Sequence, residues 1–255
     1  MKKAIIMLLL IPVMAISQNN EGYAVLENGM LTPDPAKITE FESGLAAHNK
    51  TYHGEGLYGA RVYWIANGKN TGSYMWVMGP LPWGEMDKRP AQKEHDTDWK
   101  KNVLPFVLPQ GEQTYWKFHP DLSNFPKDVT LKNLLIDVYD IKRFKDNEML
   151  EILKKIHKTM VEKFPEETFG MYTNELPSMT DGKDLAYVSF FEKSAWMGID
   201  GKFSEKYNEV HGAGSFEKFL EDWEDITLGK YSSEIWIYRE DLSGLKGEIK
   251  AMARQ

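Results

Sequence analysis

The chain has 255 residues, with 31 basic against 38 acidic side chains, a net charge of −7 and no cysteine. That balance leaves no basic stripe to neutralise phosphates, so neither nucleic acid nor an anionic membrane is an expected partner. The lack of cysteine excludes disulfides, thiolate metal sites, cysteine nucleophiles and a lipid-modified cysteine.

The opening "MKKAIIMLLLIPVMAISQNN" has the three-part form of a secretory leader: Lys2 and Lys3, then an apolar run from Ala4 to Ile16, then the small residues Ala15 and Ser17. The run is too short to span a bilayer comfortably and Pro12 interrupts it, so no membrane insertion is expected after its removal. The predicted cleavage lies between Ser17 and Gln18, giving a secreted or periplasmic protein of the bacterial envelope. The mature chain then carries 29 basic and 38 acidic residues, a balance of −9. No linker or low-complexity tract divides it.

In chain order, residues 22–31 read as a strand. Asp34 reads as a cap and Pro35 as the first residue of a helix reaching residue 50. Residues 59–66 form a second strand, and "NGKNTG" turns the chain into a third at 73–78. A helix over 94–106 and a strand over 113–119 follow. The order then repeats: a strand at 131–141, a strongly amphipathic helix at 147–164, strands at 168–173 and 185–191 around "TDGK", a helix capped by Ser215 and reaching residue 226, and a strand at 233–238.

The sequence itself repeats as well. "YWKFHPDLS" from Tyr115 matches "IWIYREDLS" from Ile235, "YMWVMGPLPW" from Tyr74 matches "YVSFFEKSAW" from Tyr187, and Asp98-Trp99 matches Asp222-Trp223. The offsets are 120, 113 and 124, in constant order. Each half is therefore β-α-β-β-α-β, the ferredoxin-like unit. The predicted organisation is a leader over 1–17, a first unit over 18–126 and a second over 127–255. The middle strands, "RVYWIA", "YMWVM" and "LAYVSFF", are apolar on both faces, so both faces must be covered. Helices cover one; the other is expected to be buried by the opposite repeat, giving an α+β fold of two tandem units packed sheet to sheet as a barrel within one chain.

This arrangement resembles a tandem version of the dimeric α+β barrel superfamily, the antibiotic-biosynthesis monooxygenase-like group. The resemblance covers nearly the whole mature chain and implies a ligand cavity inside one unit, between its helices and its sheet. With the barrel closed in one chain, the implied state is a monomer or a weak homodimer.

Helical spacing puts His48 on the apolar face of the first helix, with Ile38, Phe41 and Leu45, and His95 on that of the second, with Trp99, Val103 and Phe106. The second repeat has Met160 opposite His48 and Phe219 opposite His95, so the first unit is expected to keep the pocket. His48 and His95 are the candidate catalytic residues, one acting as a base near its ordinary pKa. Tyr63, Trp64 and Trp76, with Tyr74, are candidate walls for a planar ligand. Trp83 is a candidate lid, or a clamp between the repeats, since Trp196 stands at the equivalent place.

Haem-degrading members of the superfamily use an asparagine on the first strand, a tryptophan on the third and a histidine on the second helix. Asn28, Trp76 and His95 occupy those places, so the resemblance allows haem, although no cofactor is predicted. "EHDTD" (Glu94 to Asp98) has donors for a metal, but acidic residues at a helix start are expected from the helix dipole alone. His53 is five residues from His48 and off its helical face. No metal is predicted.

Two functions remain open. One is an exported protein that binds a small apolar or aromatic molecule, or a cofactor-independent monooxygenase-like enzyme, with its pocket in the first unit. The other is a secreted structural or interaction protein with a solid barrel.

Overall fold

In the computed structural model, which describes residues 23–89, 92–178 and 180–252, eight strands close into one antiparallel barrel in the order β1-β3-β2-β9-β6-β8-β7-β4. The predicted leader and its cleavage point lie outside the described residues. The first half contributes β1 (Ala24–Leu31), α1 (Ile38–Tyr52), β2 (Ala60–Ile65), β3 (Tyr74–Leu81), the short α2 (Trp83–Met86), α3 (Gln92–Asn102) and β4 (Glu112–Phe118). A short β5 (Val129–Thr130) precedes the second half: β6 (Asn133–Ile141), α4 (Asp146–Lys163), β7 (Phe169–Asn174), β8 (Leu185–Phe191), α5 (Phe203–His211), α6 (Ser215–Ile226) and β9 (Thr227–Tyr238). β10 (Glu248–Ile249) pairs with β5 near the C-terminus.

Each half keeps the ferredoxin-like strand order, last-first-third-second, as β4-β1-β3-β2 and β9-β6-β8-β7. The halves join edge to edge, β4 to β7 and β2 to β9, which removes every free strand edge from the eight. The doubly apolar strands follow from this closure. Side chains alternate across a strand, so one set meets the helices and the other meets the barrel interior.

Three apolar layers result. Phe41, Leu45, Val62, Trp76 and Val103 pack between the first sheet and its helices, and Met149, Leu153, Phe169, Met171 and Ile226 do so in the second half. Tyr63, Ile65, Leu134, Ile136, Val188 and Trp236 lie inside the barrel.

The repeated "DLS" endings are clasps across the two seams. After β4, Ser123 Oγ donates to the His119 carbonyl (2.7 Å) and accepts the amide of Met171 on β7 (2.9 Å). After β9, Ser243 Oγ donates to the Arg239 carbonyl (2.7 Å) and accepts the amide of Val62 on β2 (2.8 Å). The leucines cross over too: Leu122 enters the helix–sheet layer of the second half, and Leu242 that of the first.

Some boundaries differ from the sequence expectation. Asp34 does not cap α1; its Oδ1 accepts the Ala36 amide (2.9 Å) in a tight turn, and the helix starts at Ile38. Ser215 is the first residue of α6 behind Gly214, whose φ of 79° is the left-handed conformation that favours glycine. α5 was not expected; its nine residues are too few for a clear period, and Tyr207 anchors it. β9 starts six residues early, because "TLGKYS" pairs with β6 without apolar alternation.

Candidate functional site

α1 buries Phe41, Leu45, His48 and Asn49 along one face. Gly44 lets α3 approach closely, since a Cβ there would stand 1.9 Å from the Asn102 carbonyl oxygen. That approach brings His48 to His95 of α3, with ring centroids 4.7 Å apart. The two histidines named from the sequence are therefore neighbours.

A third histidine joins them. His53 is the residue that follows α1, where the chain leaves helical geometry, so helical spacing does not govern its direction. Its ring stands 5.3 Å from that of His48 and 5.2 Å from that of His95. Its Nε2 lies 3.1 Å from His95 Nε2. One ring nitrogen from each of the three lies within 4.8 Å of the others. The sequence signal for His53 was its place just beyond the helix end, with Gly54 behind it.

The outer nitrogens are all engaged. His48 Nδ1 bonds Asp98 Oδ2 (2.8 Å), His53 Nδ1 bonds the Tyr58 carbonyl (2.7 Å), and His95 Nδ1 bonds Asp96 Oδ1 (3.0 Å). A carbonyl or carboxylate only accepts, so each Nδ1 carries a hydrogen, which in a neutral ring leaves Nε2 as an acceptor. His48 Nε2 is buried with no partner. Burial pushes the pKa of His48 down, and that of His53 down to about 4, so both rings are neutral at pH 7. Asp98 is held below its ordinary value: burial opposes this, but the bonds from His48 and Asn102 outweigh it. Asp96 and Asp98 of "EHDTD" thus orient imidazoles from behind. Tyr52, Trp76 and Trp99 wall the cluster, with ring centroids 5.4 Å from His95, 5.0 Å from His53 and 5.0 Å from His48 respectively.

The other expected site residues do not gather there. Adjacent strand residues face opposite ways, so Trp64 and Trp76 lie on the helix side while Tyr63 faces the barrel interior. Trp76 is fixed by a bond from its Nε1 to Asn49 Oδ1 (2.9 Å). Asn28 also lines the barrel, across the sheet from Trp76 and His95. The haem-degrading trio is therefore not assembled. Three convergent imidazoles also suit a single ion rather than a haem, whose iron accepts protein ligands only along its axis. Trp83 spans a seam rather than covering the cluster: it packs on Tyr115 (5.0 Å) and bonds Glu175 Oε2 (3.4 Å) beyond β7.

The expected pocket between helices and sheet is occupied by packed side chains in the first half. A cavity of about 440 Å³ instead opens inside the barrel, lined by Leu26, Val77, Trp116, Phe118, Val138 and Phe190 among others. Asn28 Oδ1, on its wall, is buried without a partner. The hydroxyls of Tyr63 and Tyr172 have no hydrogen-bond partner among the described residues, and burial pushes both phenol pKa values up. At one end stand the Lys183–Glu112 ion pair and Asn70, bonded to Glu234. The C-terminal segment crosses the other end, held by Arg61 to the carbonyls of Lys246 (3.1 Å) and Glu248 (3.2 Å).

No protein-family profile and no curated protein matches the chain. Solved structures share its fold. A candidate monooxygenase from Lactobacillus acidophilus NCFM is 13% identical with a TM-score of 0.53, over 90% of this chain and 100% of that one. A candidate monooxygenase from Fusobacterium nucleatum subsp. nucleatum is 12% identical with a TM-score of 0.55, over 85% and 93%. A mutant chlorite dismutase from Candidatus Nitrospira defluvii is 7% identical with a TM-score of 0.53, over 86% and 94%. The chain shares with these structures an α+β barrel fold, here with both halves of the closed barrel in one chain.

Proposed function

We propose that this is an exported small-molecule-binding protein whose ligand, apolar or aromatic with one hydrogen-bonding group, lies inside the barrel. The observation that carries this reading is the buried, unpartnered Asn28 Oδ1 on the wall of an apolar cavity of about 440 Å³. Such a volume falls within the ordinary range of ligand pockets, about 300–1,000 Å³. A buried acceptor left unpaired costs about 1–3 kcal/mol, which a donor on the ligand offsets. Tyr63 and Tyr172 offer further hydroxyls. Export rests on the leader pattern, and a barrel closed within one chain makes a monomer sufficient.

A second reading, a monooxygenase-like enzyme acting at His48 and His95, is favoured by the 4.7 Å approach of those rings. The description of two structural neighbours as candidate monooxygenases supports it further.

Native mass spectrometry of residues 18–255 purified from the envelope fraction tests the first reading. The expected result is a reproducible small-molecule adduct on a monomer, weakened about 5- to 100-fold in affinity by Asn28→Leu. The empty Asn28→Leu protein is expected to be at least as stable as the wild type, because the unpaired acceptor is gone. No adduct, together with a destabilised Asn28→Leu protein, would favour a barrel without a ligand.

A further inference from the structure

We infer that His48, His53 and His95 bind one divalent first-row transition-metal ion through their Nε2 atoms. The site does not rest on the barrel ligand, because it lies on the helix side of the first sheet and the cavity on the other.

Four observations converge. Three ring nitrogens from separate points of the chain lie within 4.8 Å of one another. The Nδ1 bonds to Asp98, Tyr58 and Asp96 engage the other ring nitrogen of all three, leaving the Nε2 atoms to a ligand. His53 Nε2 and His95 Nε2 lie 3.1 Å apart. A tetrahedral ion with metal–nitrogen bonds of about 2.0–2.1 Å holds its ligands about 3.3 Å apart, which matches that spacing. Finally, His48 Nε2 is an unpartnered acceptor on a residue only 1% exposed.

The surroundings are those of a metal site. Imidazoles that bind metals donate their other N–H to a carboxylate or carbonyl, which orients the ring and raises its basicity. Asp98, Asp96 and the Tyr58 carbonyl supply this for all three. Two carboxylates behind the imidazoles favour a dication, and the nearby Arg89 is paired with Glu27. Imidazole ligation suits zinc, copper, iron and nickel. Three protein ligands leave a fourth position for water or substrate, as catalytic zinc sites do. His95, with its side chain 24% exposed, marks the way in.

The test uses the mature chain, stripped with a chelator and titrated with Zn²⁺ by calorimetry and with Co²⁺ by visible absorption. The expected result is one equivalent of either ion, a four-coordinate Co²⁺ spectrum and a metal-dependent rise in Tm. His53→Gln should abolish the spectrum, and Asp98→Asn should weaken Zn²⁺ binding about 10- to 100-fold. His211→Gln, a histidine outside the cluster, should change neither. The inference is overturned if the folded wild type takes up no ion, or if folded His53→Gln binds Co²⁺ with unchanged stoichiometry and spectrum. Barrel-ligand adducts persist in His53→Gln, so failure here is separable from failure of the cavity reading.

Discussion

The two halves of the barrel share a topology and differ in what fills the space between helices and sheet. In the first half that layer holds His48, His53, His95, Asn49 and the bonded Trp76. At the matching places the second half has Met160, Pro165, Phe219, Val161 and Ser189, and Tyr207 and Trp223 complete a packed aromatic group around Phe219. The Asp-Trp pair survives in both, but only Asp98 has an imidazole to orient. A duplicated fold has thus kept its scaffold twice and its polar cluster once. Nothing about the fold requires three imidazoles there, since the second half fills the matching layer mainly with apolar side chains.

The clasps are where the halves should behave alike. Leu122→Ala and Leu242→Ala each remove a nearly buried side chain from the opposite layer, so each should cost about 2–5 kcal/mol in chemical denaturation. A large cost at one and none at the other would break the equivalence. Ser123→Ala and Ser243→Ala leave the Met171 and Val62 amides without acceptors, an expected loss of about 1–3 kcal/mol apiece.

The polar cluster is where they should diverge. With no metal added, His48→Met removes the unpaired buried Nε2 but also the Nδ1 bond to Asp98, so the net change in stability is expected to stay within about 1 kcal/mol of zero. The reverse change, Met160→His in the second half, should destabilise by about 1–3 kcal/mol, since no oriented partner awaits the ring. Thermal unfolding of both variants checks the contrast.

The smallest expected effect concerns acid. His119 in the first clasp has its pKa lowered by burial and then by Lys117, whereas the second clasp has Arg239 in the same place, bonded to Glu42. Between pH 6.5 and the lowered value of His119 the unfolded chain binds more protons, so the β4–β7 seam weakens as pH falls through that window. Glu42 is held low, first by the Arg239 bond, so its stabilising contribution is present above its ordinary 4.5 and lost only as pH falls further. Hydrogen exchange across a pH series should therefore show the β4–β7 seam opening at higher pH than the β9–β2 seam. His119→Gln should abolish the difference.

Much of the fold was legible in the sequence because the signals are local and occur twice. The "DLS" endings mark strand ends in both halves, and "NGKNTG" and "TDGK" mark the hairpins. The facing of strand residues was hidden, because strands apolar on both sides carry no alternation to read; Tyr63 and Trp64 are neighbours in sequence and opposites in space. Asn28 follows an irregularity in the pairing between Val25 and Glu27, which further obscures its face. His48 and His95 followed from helical spacing. His53 did not, since it acts from a helix end positioned by the close approach of Gly244, where a Cβ would stand 2.0 Å from the His53 carbonyl oxygen.

The most direct test of the central claim is anomalous scattering from a crystal of the mature chain soaked in Zn²⁺. The account predicts a strong peak between the Nε2 atoms of His48, His53 and His95, and none between α4 and α6 near Met160 and Phe219. No peak at the three histidines in a fully soaked crystal would contradict it, leaving the first half distinguished only by packing.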